Sequence, residues 1–337
     1  MSDLKIAVVG AGVIGVTTAL EIQNNIRNAH VSIIADKLNE DTTSWVAAGL
    51  FRPGNSFAGP NREVTQKWIN DSYHHWENIR DSSYGVEAGV AEISGYIFSS
   101  EHPSIVRNQY IEKLVPIYRR ATEQELSLCP GQWKYGSFFS TIITQSTLYL
   151  PWAVSRFQSS GGELIQKHID SLQSIGNEFD VIVNCTGLGA KYLCEDYKLV
   201  SIRGQVIKMQ APWIKTFFYN DYDTYIIPGF DGLTLGGTRQ YDSYNRNIDK
   251  NDGISIRERC MSLVPSLKGG KELKQMVGLR PHRDPVRVEK EILVSHGKSI
   301  KVVHNYGHGG YGISTAPGTA IYACQLVREC LIGNSKI

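Results

Sequence analysis

Few features of this 337-residue sequence point to a metal, a membrane or a polyanionic partner. Its six cysteines (Cys129, Cys185, Cys194, Cys260, Cys324 and Cys330) form no C-x-x-C pair and no metal-ligand spacing. That argues against a zinc or iron–sulfur framework and predicts reduced, mostly buried thiols. No segment approaches the roughly 20 apolar residues of a membrane-spanning helix. The apolar N-terminal stretch is broken by glycines and lacks a basic leader, so no signal peptide is expected. A formal charge of +2 favours no polyanion. The pair Arg119-Arg120 and the set Arg280, Arg283, Arg287 are too short for a nucleic-acid footprint. No Ser-His-Asp or Cys-His arrangement has a recognisable spacing, and no carboxylate pair suggests glycoside hydrolysis. Internal repeats, low-complexity stretches and an obvious interdomain linker are also missing.

What is present is an ordinary globular composition, 42% hydrophobic and 20% charged, on a chain long enough for two domains. Lys5 to Val9 reads as a short strand. Gly10-Ala11-Gly12-Val13-Ile14-Gly15 follows, and Val13 to Gln23 carries apolar residues at helical spacing. Val31 to Ala35 then reads as a second strand ending at Asp36. This is a complete β-loop-α-β unit with the G-x-G-x-x-G pattern. The glycines allow a tight turn, close approach of a pyrophosphate and close helix–strand packing, while the helix N-terminus offers amide donors. Asp36, roughly 20 residues on, stands where an acid accepts ribose hydroxyls. The motif alone fits FAD or NAD equally. Asp41 to Leu50 mixes hydroxyls with small residues and suits a loop beside phosphates.

A second glycine-rich run, His304-Asn305-Tyr306-Gly307-His308-Gly309-Gly310-Tyr311-Gly312, lies near the other end. Glycine permits backbone to lie close against a large flat group, so one cofactor gripped from both ends of the chain is expected, a flavin before a nicotinamide. Between them, Asn61 to Glu125 reads as polar and largely helical. Phe179 to Gly189 reads as a strand ended by a Thr-Gly-Leu-Gly turn, which makes the sequon Asn184-Cys185-Thr186 the end of a buried strand. Arg203 to Met209, Tyr225 to Pro228 and Leu233 to Gly236 suggest a second, antiparallel sheet. Thr319 to Cys330 reads as a terminal helix after Pro317-Gly318. Cofactor elements at both ends imply an inserted substrate domain.

Three side chains stand out. Arg280 precedes Pro281, which restricts its backbone, and its guanidinium could fork onto a carboxylate; the ordinary alternative is a structural salt bridge. Tyr225 could add a phenol donor or be a core tyrosine. Arg239, in Gly236-Gly237-Thr238-Arg239-Gln240, either faces a pocket or ends a strand in solvent.

With these residues in place, the chain resembles the D-amino-acid oxidase and D-aspartate oxidase family over nearly its whole length. The likeness is carried by Gly10 to Gly15, Asp36, Thr42-Thr43 to Leu50, Val181 to Gly187, Arg203-Gly204-Gln205, Tyr225 to Gly229, Gly278 to Pro281 and His304 to Gly312. It implies an α/β fold, with a Rossmann-type FAD-binding domain (1–54, 140–190 and 275–337) and an inserted mixed or antiparallel sheet domain for substrate (55–139 and 191–274). The FAD contacts it implies are Gly10, Gly12, Val13, Ile14, Gly15, Asp36, Lys37, Thr42, Thr43, Ser44, Ala48, Gly49, Leu50, Gly309, Gly310, Tyr311, Gly312 and Ser314.

The resemblance also implies a chemistry. A D-amino acid gives its α-hydrogen as hydride to flavin N5, the imino acid hydrolyses to a 2-oxo acid and ammonia, and dioxygen is reduced to hydrogen peroxide. In that family pattern Arg280 clamps the α-carboxylate with help from Tyr225, and the Gly310 carbonyl faces the substrate amine. Arg239 stands where aspartate oxidases read the side-chain carboxylate, favouring D-aspartate and then D-glutamate. The Gly310 position and the segment Phe218-Tyr219-Asn220-Asp221 look more like the neutral-substrate branch, so a neutral D-amino-acid oxidase and a non-catalytic flavin protein remain open. The last residues, Ser335-Lys336-Ile337, differ from the peroxisomal S-K-L address by one isomeric side chain. They predict a peroxisomal import receptor as partner and the peroxisomal matrix as location, or else the cytoplasm. No nucleic acid or membrane partner is expected, and oligomerisation is left open.

Overall fold

The computed structural model describes residues 4–221, 223–295 and 297–332. The opening unit folds as β1 (Leu4–Val9), α1 (Val13–Asn25) and β2 (Ala29–Ala35). Next come α2 (Arg62–Arg80), β3 (Val90–Ser99), β4 (Ile117–Arg120), α3 (Glu123–Leu126), β5 (Tyr135–Thr144), α4 (Ser146–Ser159), β6 (Glu163–Gln166), β7 (Val181–Asn184) and α5 (Ala190–Leu193). The remainder is β8 (Val200–Gln210), β9 (Phe217–Tyr219), β10 (Tyr225–Gly229), β11 (Gly232–Gly236), β12 (Gln240–Tyr241), α6 (Lys250–Leu263), β13 (Lys271–Ser295), β14 (Lys298–His308) and α7 (Gly312–Ile332).

β14, β7, β1, β2 and β6 lie side by side and parallel. Their residues are apolar on both faces because both faces are covered. Ile6, Val8, Ile33 and Val183 pack beneath the helices, whereas Ala7, Val9, Ile34 and Ile182 pack on the segment carrying Ile169, Leu172 and Ile175. The other half is mainly antiparallel. There Ile207, Met209, Ile226, Leu233 and Leu235 bury against Ile256, Cys260 and Leu263 of α6.

Three expectations change. The antiparallel strands are not a separate sheet: among the described residues 14 strands form one hydrogen-bonded sheet. The cause is β13, whose 25 residues pair with β8 of one half and with β14, a member of the other. Second, Val90–Ser99 is a strand, paired with β5 and β9 inside the stretch expected to be helical. Its residues alternate in burial with near period two, a pattern hidden by the polar average of the region. Third, the last helix begins at Gly312 and contains Pro317. Pro317-Gly318 marks a close helix crossing instead of a start. The Gly318 amide is donated to Ser72 Oγ at 2.8 Å, and a Cβ at 318 would stand 1.9 Å from the Trp68 carbonyl oxygen of α2.

The six cysteines are free thiols, five of them buried. Asn184 is fully buried, within hydrogen-bond distance of His304 Nδ1 and Cys194 Sγ, so the sequon does end a core strand. No described helix is long and apolar enough to cross a membrane.

Candidate active site

The loops leaving the C-terminal ends of β1, β2 and β7 open onto a cavity of about 800 Å³. That end of a parallel sheet is where open α/β folds receive ligands. The glycines of the first loop divide the work. Gly10 has φ +112° and a Cβ there would meet the Cys185 carbonyl oxygen at 2.5 Å, so it makes the turn. Gly15 does not line the cavity: a Cβ there would lie 1.9 Å from the Gly10 carbonyl oxygen, so it serves close packing of the turn on α1. Gly12 lines the cavity, where an added Cβ would meet only Ser44 Oγ, at 3.2 Å. Gly187 and Gly312 are similarly open, with nearest atoms at 3.7 and 3.8 Å. These three glycines keep the space beside the α1 N-terminus free, as a bound dinucleotide requires. The residues present fit FAD.

Every residue expected at the site except Gly15 lines this one cavity: Gly10, Gly12, Val13, Ile14, Asp36, Lys37, Thr42, Thr43, Ser44, Ala48, Gly49, Leu50, Tyr225, Arg239, Arg280, Gly309, Gly310, Tyr311, Gly312 and Ser314. The local contacts refine several of them. Ser44 Oγ accepts the Val13 amide at 3.0 Å, serving as a cap that α1 lacks in its own sequence. The Thr43 hydroxyl donates to the Leu279 carbonyl at 3.0 Å, tying the cofactor loop to β13 beside Arg280. Thr42 Oγ1 donates back to Asn39. Ser314 Oγ donates to the Leu50 carbonyl at 3.1 Å. Tyr311 Oη lies 2.9 Å from Ser56 Oγ. Asp36 and Lys37 are exposed beyond β2, and Asp36 stands 3.6 Å from His168.

At the other end of the cavity, backbone has been cleared around two side chains. A Cβ on Gly204 would stand 2.1 Å from Arg280 Nη2, and Cβ atoms on Gly236 and Gly237 would fall 2.0 and 2.7 Å from the Tyr225 ring and hydroxyl. Arg280 Nη1 donates to the Thr238 carbonyl at 3.0 Å, and Arg280 has no carboxylate partner among the described residues. Gly310 borders its stem, since a Cβ there would be 3.3 Å from Arg280 Cδ. Burial raises the Tyr225 pKa, against the pull of the Arg280 and Arg239 charges, so the phenol keeps its proton.

Arg239 lines the cavity with its side chain 47% exposed, and its Nε is 2.9 Å from Asp223 Oδ1. The sequence left two options, pocket or solvent. The structure places it at the rim, already paired.

Sequence reasoning missed Arg52 and named Tyr219 only within the segment Phe218 to Asp221. Arg52 lines the cavity with its guanidinium 4.7 Å from the Tyr219 ring centroid. Tyr219 in turn stands 5.3 Å, centroid to centroid, from Tyr225. A signal for Arg52 existed: it precedes Pro53, the same context that singled out Arg280.

Comparison with known proteins agrees with this geometry. The family model described as FAD dependent oxidoreductase matches residues 5–326. The chain is 40% identical to human D-aspartate oxidase, over 98% of this chain and 96% of that protein. It is 34% identical to a D-amino acid oxidase of Dugesia ryukyuensis, over 98% and 99%. Among solved structures, glycine oxidase from Geobacillus kaustophilus superposes with a TM-score of 0.79 at 18% identity, covering 97% of this chain and 95% of that one. That last likeness concerns the fold, a mixed α/β architecture with a large mixed sheet.

Proposed function

Because the chain belongs to the FAD dependent oxidoreductase family, with FAD as its cofactor, we propose that it oxidatively deaminates D-amino acids, acidic ones first: D-aspartate, then D-glutamate. The products are a 2-oxo acid, ammonia and hydrogen peroxide. The observation that carries this reading is the cavity itself, which has glycine-cleared backbone for a dinucleotide at one end and a glycine-cleared Arg280–Tyr225 pair at the other. The 40% identity to human D-aspartate oxidase supports the acidic preference.

Bound in the cavity, FAD supplies the two-electron acceptor that oxidises the substrate and is reoxidised by dioxygen. The chain's residues bind and orient. Gly10 and Gly12, the first amides of α1, and Asp36 hold the dinucleotide end, and the 309–312 turn holds the flavin end. Residues 1–54, 140–190 and 275–337 form this cofactor unit, and 55–139 with 191–274 the substrate unit. Arg280 forks onto the α-carboxylate, with Tyr225 donating a second hydrogen bond. The Gly310 carbonyl accepts from the amine. The substrate's α-carbon is thereby fixed without a side-chain base. Arg239, at the rim, attracts an acidic side chain.

One observation favours the neutral-substrate reading: Arg239 is half exposed and its charge is already met by Asp223. Peroxide release from the FAD-loaded protein with D-aspartate and D-alanine at equal concentration separates the two. Preference for D-aspartate, reduced by Arg239→Met, is expected. A D-alanine preference assigns the neutral branch, and silence with both assigns a non-catalytic flavin protein.

The terminal Ser335-Lys336-Ile337, outside the described residues, is read as a peroxisomal import address. Tagged protein with and without these three residues tests it: punctate against diffuse distribution is expected, and identical diffuse patterns reject it.

A further inference from the structure

The cavity holds a cation for which no ion pair or hydrogen bond among the described residues accounts. Arg52 makes no hydrogen bond or ion pair among the described residues, and its Nε is buried without a partner. Burying an arginine donor unpaired is costly. Its neighbours do not offset it. Asp221 also lines the cavity: its Oδ2 accepts the Ser100 amide at 2.8 Å and hydroxyl at 3.0 Å, and its Oδ1 is buried without a partner, forming no ion pair with Arg52 among the described residues. Asp223 is taken by Arg239 at 2.9 Å. The guanidinium lies against the face of Tyr219, 4.7 Å from the ring centroid.

The Arg52 backbone is fixed on both sides. Phe51 donates to the Ile142 carbonyl and accepts from Thr141 Oγ1, each at 2.8 Å. The Pro53 carbonyl accepts from Asn108 Nδ2 at 2.8 Å. A guanidinium on so pinned a stem can present its fork with little ordering cost. One aromatic ring, Tyr219, separates it from Tyr225, the partner of Arg280.

We infer that Arg52 is a specificity-determining residue that binds the side-chain carboxylate of the substrate, with Arg239 as an outer, already compensated cation. The inference rests on the acidic-substrate reading above. It gives that site a free fork beside Arg239, whose charge at the rim is shared with Asp223. The ligand class is a D-amino dicarboxylate, held by Arg280 at one carboxylate and by Arg52 at the other.

The test is steady-state kinetics of FAD-loaded wild type, Arg52→Gln, Arg52→Lys and Arg239→Met with D-aspartate, D-glutamate and D-alanine. Bound flavin is checked by absorbance. Succinate and butyrate binding is read from perturbation of the flavin spectrum. Arg52→Gln is expected to lower the D-aspartate to D-alanine ratio of kcat/KM by about tenfold or more, chiefly through KM, the scale of one charge-assisted hydrogen bond. Arg52→Lys should recover part of it. A ratio unchanged in Arg52→Gln but collapsed in Arg239→Met overturns the inference while leaving the acidic-substrate reading intact. If wild type shows no D-aspartate preference, the acidic-substrate reading fails, and succinate binding decides on Arg52. Loss of the succinate over butyrate preference in Arg52→Gln upholds an anion site there, and unchanged binding rejects it. Should Arg52→Gln not retain flavin, Arg52→Lys carries the same comparison: a lowered ratio upholds the fork, and a wild-type ratio rejects it.

Discussion

Gly204 decides where Arg280 can stand. A methyl group at 204 would lie 2.1 Å from Arg280 Nη2, and the guanidinium, as the mobile end of a long side chain, would move before the strand does. Gly204→Ala is therefore expected to keep FAD and thermal stability near wild type. KM for every D-amino acid should rise by about tenfold or more, as loss of a charge-assisted contact implies. Unchanged KM in a protein that retains FAD would show that the fork finds another route to the substrate. At this scale the sequence was readable where a residue's chemistry and its chain neighbours sufficed. Arg280 before Pro281, Tyr225, and the Gly10 to Gly15 loop were all marked. Gly204 entered only as part of the family likeness and Arg52 was passed over despite Pro53, because the group each one meets is distant in sequence. The role of Gly204 depends on a side chain from β13, and that of Arg52 on Tyr219 of β9.

His308 closes β14 and is bound to the helix that follows. It is 3% exposed, with Nε2 2.9 Å from Thr319 Oγ1 of α7. Burial pushes its pKa from 6.5 down to about 3. The unfolded chain takes up a proton on this ring below pH 6.5, and the folded chain does not until about pH 3. Across that window the unfolded state binds more protons, so stability falls as the pH falls. Denaturant unfolding should show wild type losing roughly 2 kcal/mol between pH 7.5 and pH 5 through this group. His308→Gln, which keeps a neutral hydrogen-bonding side chain, should lose correspondingly less. Equal losses in both would assign the acid sensitivity elsewhere, with His304, fully buried and pushed down to about 4, the next group to test. Of the elements, β1, α1 and β2 were legible because apolar period and glycine pattern coincide there. The start of α7 was misread because Pro317-Gly318 usually ends or precedes a helix. Here the freed Gly318 amide is satisfied by Ser72, a partner from α2 that no local pattern reveals.

In the whole molecule, the cofactor end and the substrate end are joined by one strand. β13 pairs with β8 through Leu279↔Arg203 and Arg280↔Ile202, and then with β14 through Arg287↔Tyr306. The Thr43 hydroxyl fastens the cofactor loop to the same strand at Leu279. The dinucleotide-binding loop is thus tied directly to the backbone that holds Arg280. By itself the sequence determined the α/β class and the dinucleotide loop, which depend on short-range patterns, a glycine turn and an apolar period; the flavin, the oxidase chemistry and the expected roles of Arg280 and Tyr225 came from its family likeness. Only the tertiary structure joined the strands into one sheet, placed Arg239 at the rim against Asp223, and left Arg52 Nε buried without a partner among the described residues. Charge compensation and close approach depend on distance in space, and residues 187 positions apart, such as Arg52 and Arg239, become neighbours of Tyr219 only after the chain has closed.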